Sequence, residues 1–595
     1  MSWTICLILS VAALVLALLW ACKRIKYKRG RIMDPLRIMF VGVVLSTLFL
    51  FAPILMKTCE NSGYVGWESI PLALHNVIKL FVVDADLKDV FDMVGGGVIG
   101  CLYRIVFSVL FLLAPALTFG FVLTFFKNVW AYVLYFLHLN ANVAVFSELN
   151  EKSLALMQSM NQNPEEKCFF VFTDVFEREE EQNFELVERV KELGAVCFKK
   201  DISAMKIFRP LKKHKLYFFA IGADQTENVN QSLRLFEAFK DRENTYLYVF
   251  STQMEAEMLL SSAFNQDDGE AKIKVRRINE VQSLILRNLY ENGYENIFQS
   301  AVDHPDGVKR INAIVVGMGQ HGTEMTKALT WFSQMDGYLL EVNSFDSDRS
   351  AEDRFTGECP ELMKFSGKLD IEGEARYTVH IHSGVNVDGA DFYNAVRNLP
   401  QTSYVFVALG NDEKNIATAV KLRAEFERMG HKPVIQALVC NSDKKEALSG
   451  VTNFKGQEYA IDFIGDMNSS YSREVILGSD IEEEAKKRHM LWGSEKEFWQ
   501  YNYNYKSSIA SAIHKKMKIL CGMPGVELEP KDRAEKDLWA LRVLEHRRWN
   551  AYMRSEGYVF GGTVEKSGRN DLAKMHNCLV PFAELPLKEQ EKDDN

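Results

Sequence analysis

The sequence predicts three N-terminal transmembrane helices, then two α/β domains in tandem, then a small, mostly helical C-terminal domain. Three long apolar runs lie in the first 130 residues. Short β-branched or aromatic runs alternate with helical periodicity from about residue 140, and this alternation stops near residue 480. The chain has 595 residues, of which 47% are hydrophobic, and a formal net charge of −9. Its length suggests about four units, and its acidic balance argues against a nucleic-acid partner.

The apolar runs have the length of membrane-spanning helices. They cover residues 5–22, 38–56 and 105–126. A helix needs about 20 apolar residues to cross the hydrocarbon core, and the prolines inside two runs, Pro53 and Pro115, are tolerated there when neighbours satisfy the freed carbonyl. Because residues 1–4 carry no basic side chain, the first run does not look like a cleaved signal peptide. We therefore predict a three-helix transmembrane region over residues 1–130.

The charges of the loops predict the orientation. Seven basic residues lie between Lys23 and Arg37 and are opposed only by Asp34, which places this short loop in the cytoplasm. The second loop, residues 57–100, has three lysines against six acids and includes an amphipathic segment at 70–83. We therefore expect the N-terminus outside and the large C-terminal body in the cytoplasm.

From about residue 140 the pattern is typical of a parallel sheet with covering helices. The predicted strands of the first α/β domain are 141–146, 168–173, 195–198, 216–221 and 245–250. Those of the second are 313–316, 337–342, 378–382, 404–408 and 434–438. The pattern recurs after about 170 residues, which indicates a duplicated Rossmann-type domain. We place the two copies at residues 140–297 and 309–478.

The second α/β domain contains a glycine fingerprint between a strand and a helix. Gly317, Gly319 and Gly322 have the GxGxxG spacing, in which the glycines allow a tight turn, close approach of a pyrophosphate, and helix–strand packing. Asp346 follows Gly322 by 24 positions, near the end of the next strand, where an acid can bind a ribose hydroxyl. This pattern predicts a site for NAD or another nucleotide. The alternative is that the glycines serve only the turn.

The first α/β domain departs from that fingerprint. Residues 146–153 form the corresponding turn, contain no glycine, and include Glu148 and Glu151, which would repel a phosphate. We expect this domain to be structural or to form a dimerisation surface. Asp174 and Asp201 are expected to be ordinary turn caps.

Residues 140–475 resemble the TrkA-N, or RCK-like, regulatory domains attached to prokaryotic potassium channels and transporters. The shared features are the glycine fingerprint, Asp346 and the fourth-strand run at residues 404–415 before a helix. The resemblance implies nucleotide binding and assembly into a homo-oligomer, because domains of that family form rings. Fold alone does not make the chain a dehydrogenase.

Residues 480–595 are predicted to be helical. Helices are expected near residues 481–491, 506–520 and 534–556, and the last ends before Gly557. Helical spacing puts Glu545, Trp549 and Tyr552 at neighbouring positions of one face, with His546 beside Trp549.

Residues 535–592 resemble the ryanodine-receptor repeat domain. That family has an EHxxW helix, an aromatic-x-x-Gly turn, a His-Pro-x-Leu-like segment and a short acidic helix, and Asn577 stands here where proline is usual. The residues predicted to contact a ligand are Arg542, Glu545, His546, Trp549, Tyr552, Tyr558 and His576. The alternative is that the aromatic residues form the core of a small domain, as they usually do at helical spacing.

The combination looks like a bacterial protein group often placed among anti-phage signalling systems. This resemblance implies a multi-pass protein of the prokaryotic inner (plasma) membrane. Its cytoplasmic domains would bind a nucleotide-derived ligand and control a transmembrane pore or membrane disruption. The alternative is a TrkA-N-type, nucleotide-responsive regulator of potassium or cation transport.

The sequence does not indicate catalysis or metal binding. The cysteines of the body are scattered, without a CxxC pair or a histidine at metal-ligand spacing. GxxxxGK[ST], HExxH and GxSxG patterns are absent from the sequence. We therefore predict that the protein is not an enzyme and holds no metal. Its expected partners are the membrane, a nucleotide-type small molecule and further copies of the chain.

Overall fold

The structure is a computed structural model in which most of the chain is described. The described residues are 3–27, 33–62, 69–82, 84, 91, 92, 94, 96–125, 127–163, 167–174, 181–205, 207–252, 256, 271–450, 453–477, 480–561 and 568–594. The chain divides into an N-terminal unit, Met1–Leu149 with Lys167–Leu216, and a C-terminal unit, Asn150–Glu166 with Tyr217–Asn595.

The N-terminal unit begins with three helices that are long and apolar enough to cross a membrane. The helices of this region are α1 Trp3–Tyr27, α2 Met33–Ser62, α3 Ser69–Val82, α4 Val98–Phe125 and α5 Lys127–Leu137. The candidate spans are Trp3–Cys22, Arg37–Met56 and Val98–Gly120. This finding confirms three helices of spanning length. The third candidate span starts at Val98, before the predicted uncharged run at residues 105–126. The difference arises because Arg104, the charged residue before that run, lies within α4. Its guanidinium donates to the Val94 carbonyl at 3.1 Å. Residue 126 lies outside the described residues.

Small residues bring α1 and α2 close together. A Cβ on Gly42 would lie 2.2 Å from the Cβ of Ala17, and the hydroxyls of Ser10 and Ser46 are 2.6 Å apart. Close contact at small residues and hydrogen bonds between helices are the forces that join transmembrane helices, because the lipid offers no hydrophobic gain. The predicted amphipathic segment is the helix α3, with Leu80 buried and Ile78 exposed.

The first sheet has six strands in the order β3-β2-β1-β4-β5-β6. Its strands are β1 Asn142–Phe146, β2 Cys168–Phe172, β3 Val196–Cys197, β4 Leu216–Ala220, β5 Thr245–Phe250 and β6 Lys274–Ile278. Its helices are α6 Glu151–Gln162, α7 Glu181–Glu192, α8 Gln225–Phe239 and α9 Glu280–Gly293, followed by a π-helical turn Tyr294–Gln299. Five strands match the predicted positions to within one or two residues. The sixth, β6, is a strand that the sequence did not predict.

The second sheet has six parallel strands in the order β14-β11-β10-β7-β8-β9. Its strands are β7 Lys309–Val316, β8 Tyr338–Asp346, β9 Tyr377–Ser383, β10 Tyr404–Val407, β11 Val434–Leu438 and β14 Ile461–Ile464. A separate antiparallel hairpin, β12 Asn453–Phe454 and β13 Gln457–Glu458, precedes β14. The helices are α10 Gln320–Phe332, α11 Ala351–Glu358, α12 Pro360–Phe365, α13 Ala390–Asn398, α14 Asp412–Arg428, α15 Ser442–Ser449, α16 Met467–Ser470 and α17 Arg473–Ile476. Both sheets have the doubly wound strand order, in which ligands bind at the carboxyl ends of the strands where the order reverses.

The C-terminal segment is mostly helical, as predicted, with a small sheet in addition. It contains α18 Asp480–His489, α19 Glu495–Gln500, α20 Asn502–Leu520, α21 Glu535–Ser555, β15 Val559–Phe560, β16 Arg569–Asn570, β17 Met575–His576 and α22 Leu587–Gln590. It shares a hydrophobic core with the second sheet; for example, the rings of Trp331 and Tyr552 are 6.0 Å apart. The predicted boundary near residue 480 therefore lies inside one packed unit.

A buried ion pair joins the C-terminal helices to the second sheet. Arg554 on α21 donates to both carboxylate oxygens of Glu374, at 2.8 and 3.0 Å, and Asn550 donates to the same carboxylate at 3.2 Å. Both charged side chains are almost completely buried. Because burial removes the hydration of both charges, each depends on the other for compensation.

Glu374→Gln should destabilise the C-terminal unit. The substitution removes the carboxylate that accepts two hydrogen bonds from the buried Arg554 guanidinium and leaves only Glu361, at 3.7 Å. Removing one partner of a buried pair costs about 3–5 kcal/mol. Thermal unfolding of the detergent-solubilised chain measures the effect. Glu413→Gln, at an exposed pair with Lys444, is the matched control and should leave the melting temperature nearly unchanged. Equal stability of the two variants would contradict the structural role of Glu374.

Candidate functional site

The glycine loop lies where the strand order of the second sheet reverses, between β7 and β10. Gly317 directly follows β7 and has a φ of +95°, and a Cβ there would lie 2.4 Å from the carbonyl oxygen of Ala408, the residue after β10. A side chain is therefore excluded by both backbone conformation and space. The first glycine of the fingerprint has the turn role that its spacing predicts.

Gly322 and Gly319 differ in what surrounds them. A Cβ on Gly322 would lie 1.7 Å from the Gly317 carbonyl oxygen, whereas a Cβ on Gly319 would meet no described atom within 4 Å. Gly319 is also the N-cap of α10, and no described side chain caps the helix there. The first amides of α10 therefore have no side-chain cap among the described residues, and uncapped amides with the positive end of the helix dipole favour an anion.

Asp346 lies at this loop, as the sequence predicted. One of its carboxylate oxygens accepts a hydrogen bond from the Met318 amide at 2.5 Å, and the other accepts from the Asp348 amide at 2.7 Å. A carboxylate offers about four acceptor positions, so Asp346 can hold the loop and still accept from a ligand hydroxyl. The structure thus brings together Gly317, Gly319, Gly322 and Asp346.

The sequence did not predict the polar residues around the loop. Arg354 pairs with Asp348 at 2.5 Å and donates to the Met318 carbonyl at 3.3 Å. The Ser350 amide and the Arg354 guanidinium lower the pKa of Asp348 to about 2. Gln320 donates to the Thr252 hydroxyl, beyond the end of β5, at 3.4 Å. In the sequence, residues 348–350 were visible only as a short polar run. The hydrogen bond between Gln320 and Thr252 could not be predicted, because it joins segments that follow strands of two different sheets.

The residues predicted from the ryanodine-receptor resemblance fall into two groups. Three rings lie together, with His546 stacked on Trp549 at 5.7 Å and Trp549 edge-on to His576 at 4.8 Å. His546 also has its Nε2 2.8 Å from the Val580 carbonyl oxygen. Burial lowers the pKa of His576 to about 4. These rings pack at the junction of α21 with the small sheet.

The other predicted residues are engaged in internal contacts. Arg542 donates to Asp594 at 2.9 Å, and the Tyr558 hydroxyl donates to Asp571 at 2.9 Å. Tyr552 packs on Trp331 and lines a cleft whose lining does not include His546 or Trp549. The expected face of Glu545, Trp549 and Tyr552 is therefore not one ligand surface.

Glu545 is the centre of a buried ionic cluster. It accepts from Lys518 at 2.6 Å, from Arg548 at 2.9 Å and from Ser511 at 2.7 Å. These cations hold the pKa of Glu545 well below its usual value despite burial. Its carboxylate is saturated by protein donors, so the role that the structure supports for Glu545 is cohesion of α20 and α21.

The described residues contain no group of three His, Cys, Asp or Glu side chains that could hold a metal ion. Comparison with known proteins adds no family: no protein-family model matches the chain, and no curated protein matches it significantly. The case for a site therefore depends on its geometry.

Gly322→Ala should destabilise the protein more than Gly319→Ala. The first forces a methyl group against the Gly317 carbonyl and should lower the unfolding free energy by about 1–3 kcal/mol or more. The second places a methyl group in open space and should cost at most about 1 kcal/mol. Thermal melting of both variants measures the difference. Equal loss of stability would mean that the loop is packed differently.

Stability should fall in mild acid through His514, which lies beside the Glu545 cluster. Burial, with Lys518 and Arg548 nearby, lowers the pKa of His514 to about 4. The unfolded chain therefore binds this proton first, and stability is lost as the pH falls from about 6.5 to about 4, by about 3 kcal/mol. Unfolding of wild type and His514→Gln between pH 7 and pH 4.5 tests this. The variant should depend less on pH, and a control at exposed His380 should behave as wild type; parallel curves for all three would refute the assignment.

Proposed function

We propose that the protein is a membrane-anchored sensor and effector that binds a nucleotide-derived ligand at the glycine loop of the second sheet. The role is binding rather than catalysis. The ligand's phosphate accepts from the uncapped amides of α10, and a ribose hydroxyl donates to Asp346. NAD and other nucleotides have this combination of groups.

One observation carries this proposal: Gly319 is an N-cap without a side-chain cap, a Cβ there would meet no described atom within 4 Å, and Asp346 holds the same loop. The turn alone explains why residue 317 is a glycine, and close backbone packing alone explains why residue 322 is a glycine. Neither explanation accounts for Gly319, whose Cβ would be unhindered. Close approach of a ligand to the backbone does account for it.

The output of the sensor is proposed to be a change in the membrane. The chain that carries the glycine loop also carries three helices able to span a bilayer, with the N-terminus outside and the large body in the cytoplasm. We propose that a homo-oligomer forms and that its pore lies between the subunits. Placement in anti-phage defence rests on the resemblance alone, and a regulator of cation transport shares the same binding site.

Gly319→Asp should weaken nucleotide binding without unfolding the protein. The new carboxylate occupies the space proposed for phosphate and repels it, so affinity should fall about tenfold or more. Calorimetry of the full chain in detergent with NAD, ADP-ribose and ATP provides the measurement. Gly357→Asp is the matched control, since its Cβ also meets open space and it adds the same charge. If wild type binds none of the three, or if Gly319→Asp binds as tightly as wild type, the proposal fails.

The membrane output can be tested in liposomes that contain the full chain. A nucleotide that binds should release an encapsulated dye or potassium from vesicles with wild type, and Gly319→Asp should release neither. A cation-transport regulator would instead leave the vesicles sealed and restore potassium-dependent growth together with its transporter. Leakage that is independent of nucleotide and of Gly319 would contradict both functions.

A further inference from the structure

The C-terminal unit contains a second cleft, which shares no residue with the glycine loop or Asp346. It has a volume of about 100 Å³ and lies among β6, α9, α10, α18, α20 and α21. Its apolar wall is formed by Ile285, Ala328, Trp331, Ile509 and Tyr552. A volume of this size accepts a group of about one ring and is well below the roughly 300 Å³ or more of most ligand pockets.

Arg276 supplies donors to this cleft. Its Nη2 pairs with Glu482 at 2.6 Å, and its guanidinium lies over the ring of Tyr505, 4.9 Å from the centroid. Its Nε and Nη1 are buried and have no hydrogen-bond acceptor among the described residues. A buried donor without an acceptor is costly, so this side chain indicates a group that would accept from it.

Asn502, the first residue of α20, has the same property. Its side-chain Nδ2 lines the cleft and is buried without an acceptor among the described residues. Two side chains of the lining, Arg276 and Asn502, therefore both have buried donors without an acceptor among the described residues. The missing partner has the chemistry of a carboxylate or phosphate oxygen.

The charges of the lining agree with an anion. Five cationic and three acidic side chains line the cleft, and two of the cations, Arg287 and Lys327, also pair with acids outside the lining. The acids are already engaged: Glu482 pairs with Arg276 at 2.6 Å, Glu556 with Lys506 at 3.3 Å, and Glu324 with Lys327 at 3.4 Å. A cationic ligand would have to displace these pairs, whereas an anion would not.

We propose that this cleft binds a small organic anion with a single apolar ring, distinct from the nucleotide of the glycine loop. The carboxylate or phosphate of the ligand accepts from Arg276 and Asn502. Its ring lies against the apolar wall at Trp331 and Tyr552. A site with positively charged donors beside an aromatic and aliphatic wall binds a ligand with both an anionic group and an apolar ring more tightly than a ligand with only one of them.

Phenyl phosphate is the probe for this site, with inorganic phosphate and phenol as its two halves. Calorimetry of the full chain in detergent should show saturable binding of phenyl phosphate at least about tenfold tighter than either half. Hydrogen exchange should show protection at residues 276–287 and 502–510. No saturable binding, or protection confined to residues 317–323, would overturn the proposal.

Asn502→Asp tests the site with little risk to folding, because an acid is favourable in the first turn of a helix. It removes the donor and adds a repelling charge, so affinity for phenyl phosphate should fall about tenfold or more. Asn441→Asp, at the N-cap of α15, is the matched control and should bind as wild type. Arg276→Lys keeps the charge beside Glu482 but loses Nε and Nη1, and it should also bind more weakly. Unchanged affinity in both Asn502→Asp and Arg276→Lys would refute the site, even if the nucleotide site is real.

Discussion

The burial of α10 is the constraint on which the architecture of the C-terminal unit depends. Every residue from Met325 to Phe332 is buried, so this helix has no solvent face in its second half. Its polar side chains must therefore find partners inside the protein. Thr326 donates to the Gly322 carbonyl at 2.9 Å, and Lys327 pairs with Glu358 and Glu324. The second sheet covers one side of α10 and the C-terminal helices cover the other.

The same constraint explains why α21 is full of buried charge. Helices that cover α10 must themselves be covered, and α21 buries Glu545, Arg548 and Arg554. Each of these charges is matched by a side chain of another element or of the same helix, because an unmatched charge would cost several kcal/mol. Charged side chains that suggest a binding face in the sequence instead form buried ion pairs inside the protein. In the EHxxW helix, Glu545 therefore holds α20 and α21 together through buried ion pairs, while His546 and Trp549 pack with His576.

The sequence was sufficient where the determining interactions are local. The three spans follow from hydrophobic length, and ten of the strands follow from β-branched runs. The meeting of Gly317, Gly319, Gly322 and Asp346 follows from one strand–turn–helix unit and the next strand. The features that the sequence did not predict, strand β6 and the cleft, depend on contacts between residues far apart in the chain. Strand β6 contains Arg276 and Arg277, so its sequence looks too polar for a strand. The acid that compensates the Arg276 charge is Glu482, about 200 positions later, and a local sequence pattern does not show that pairing. The cleft is likewise assembled from segments between residues 276 and 556, whose juxtaposition no local pattern encodes.

A single rigid helix runs from the glycine loop to the cleft. Gln320 begins α10 at the loop, and Trp331 lines the cleft near its other end, a separation of about 17 Å for an α-helix. If α10 tilted as one body by about 5°, its far end would move by about 1.5 Å. Two ligands that prefer different positions of α10 would therefore be thermodynamically linked, and each would change the affinity of the other by the same factor.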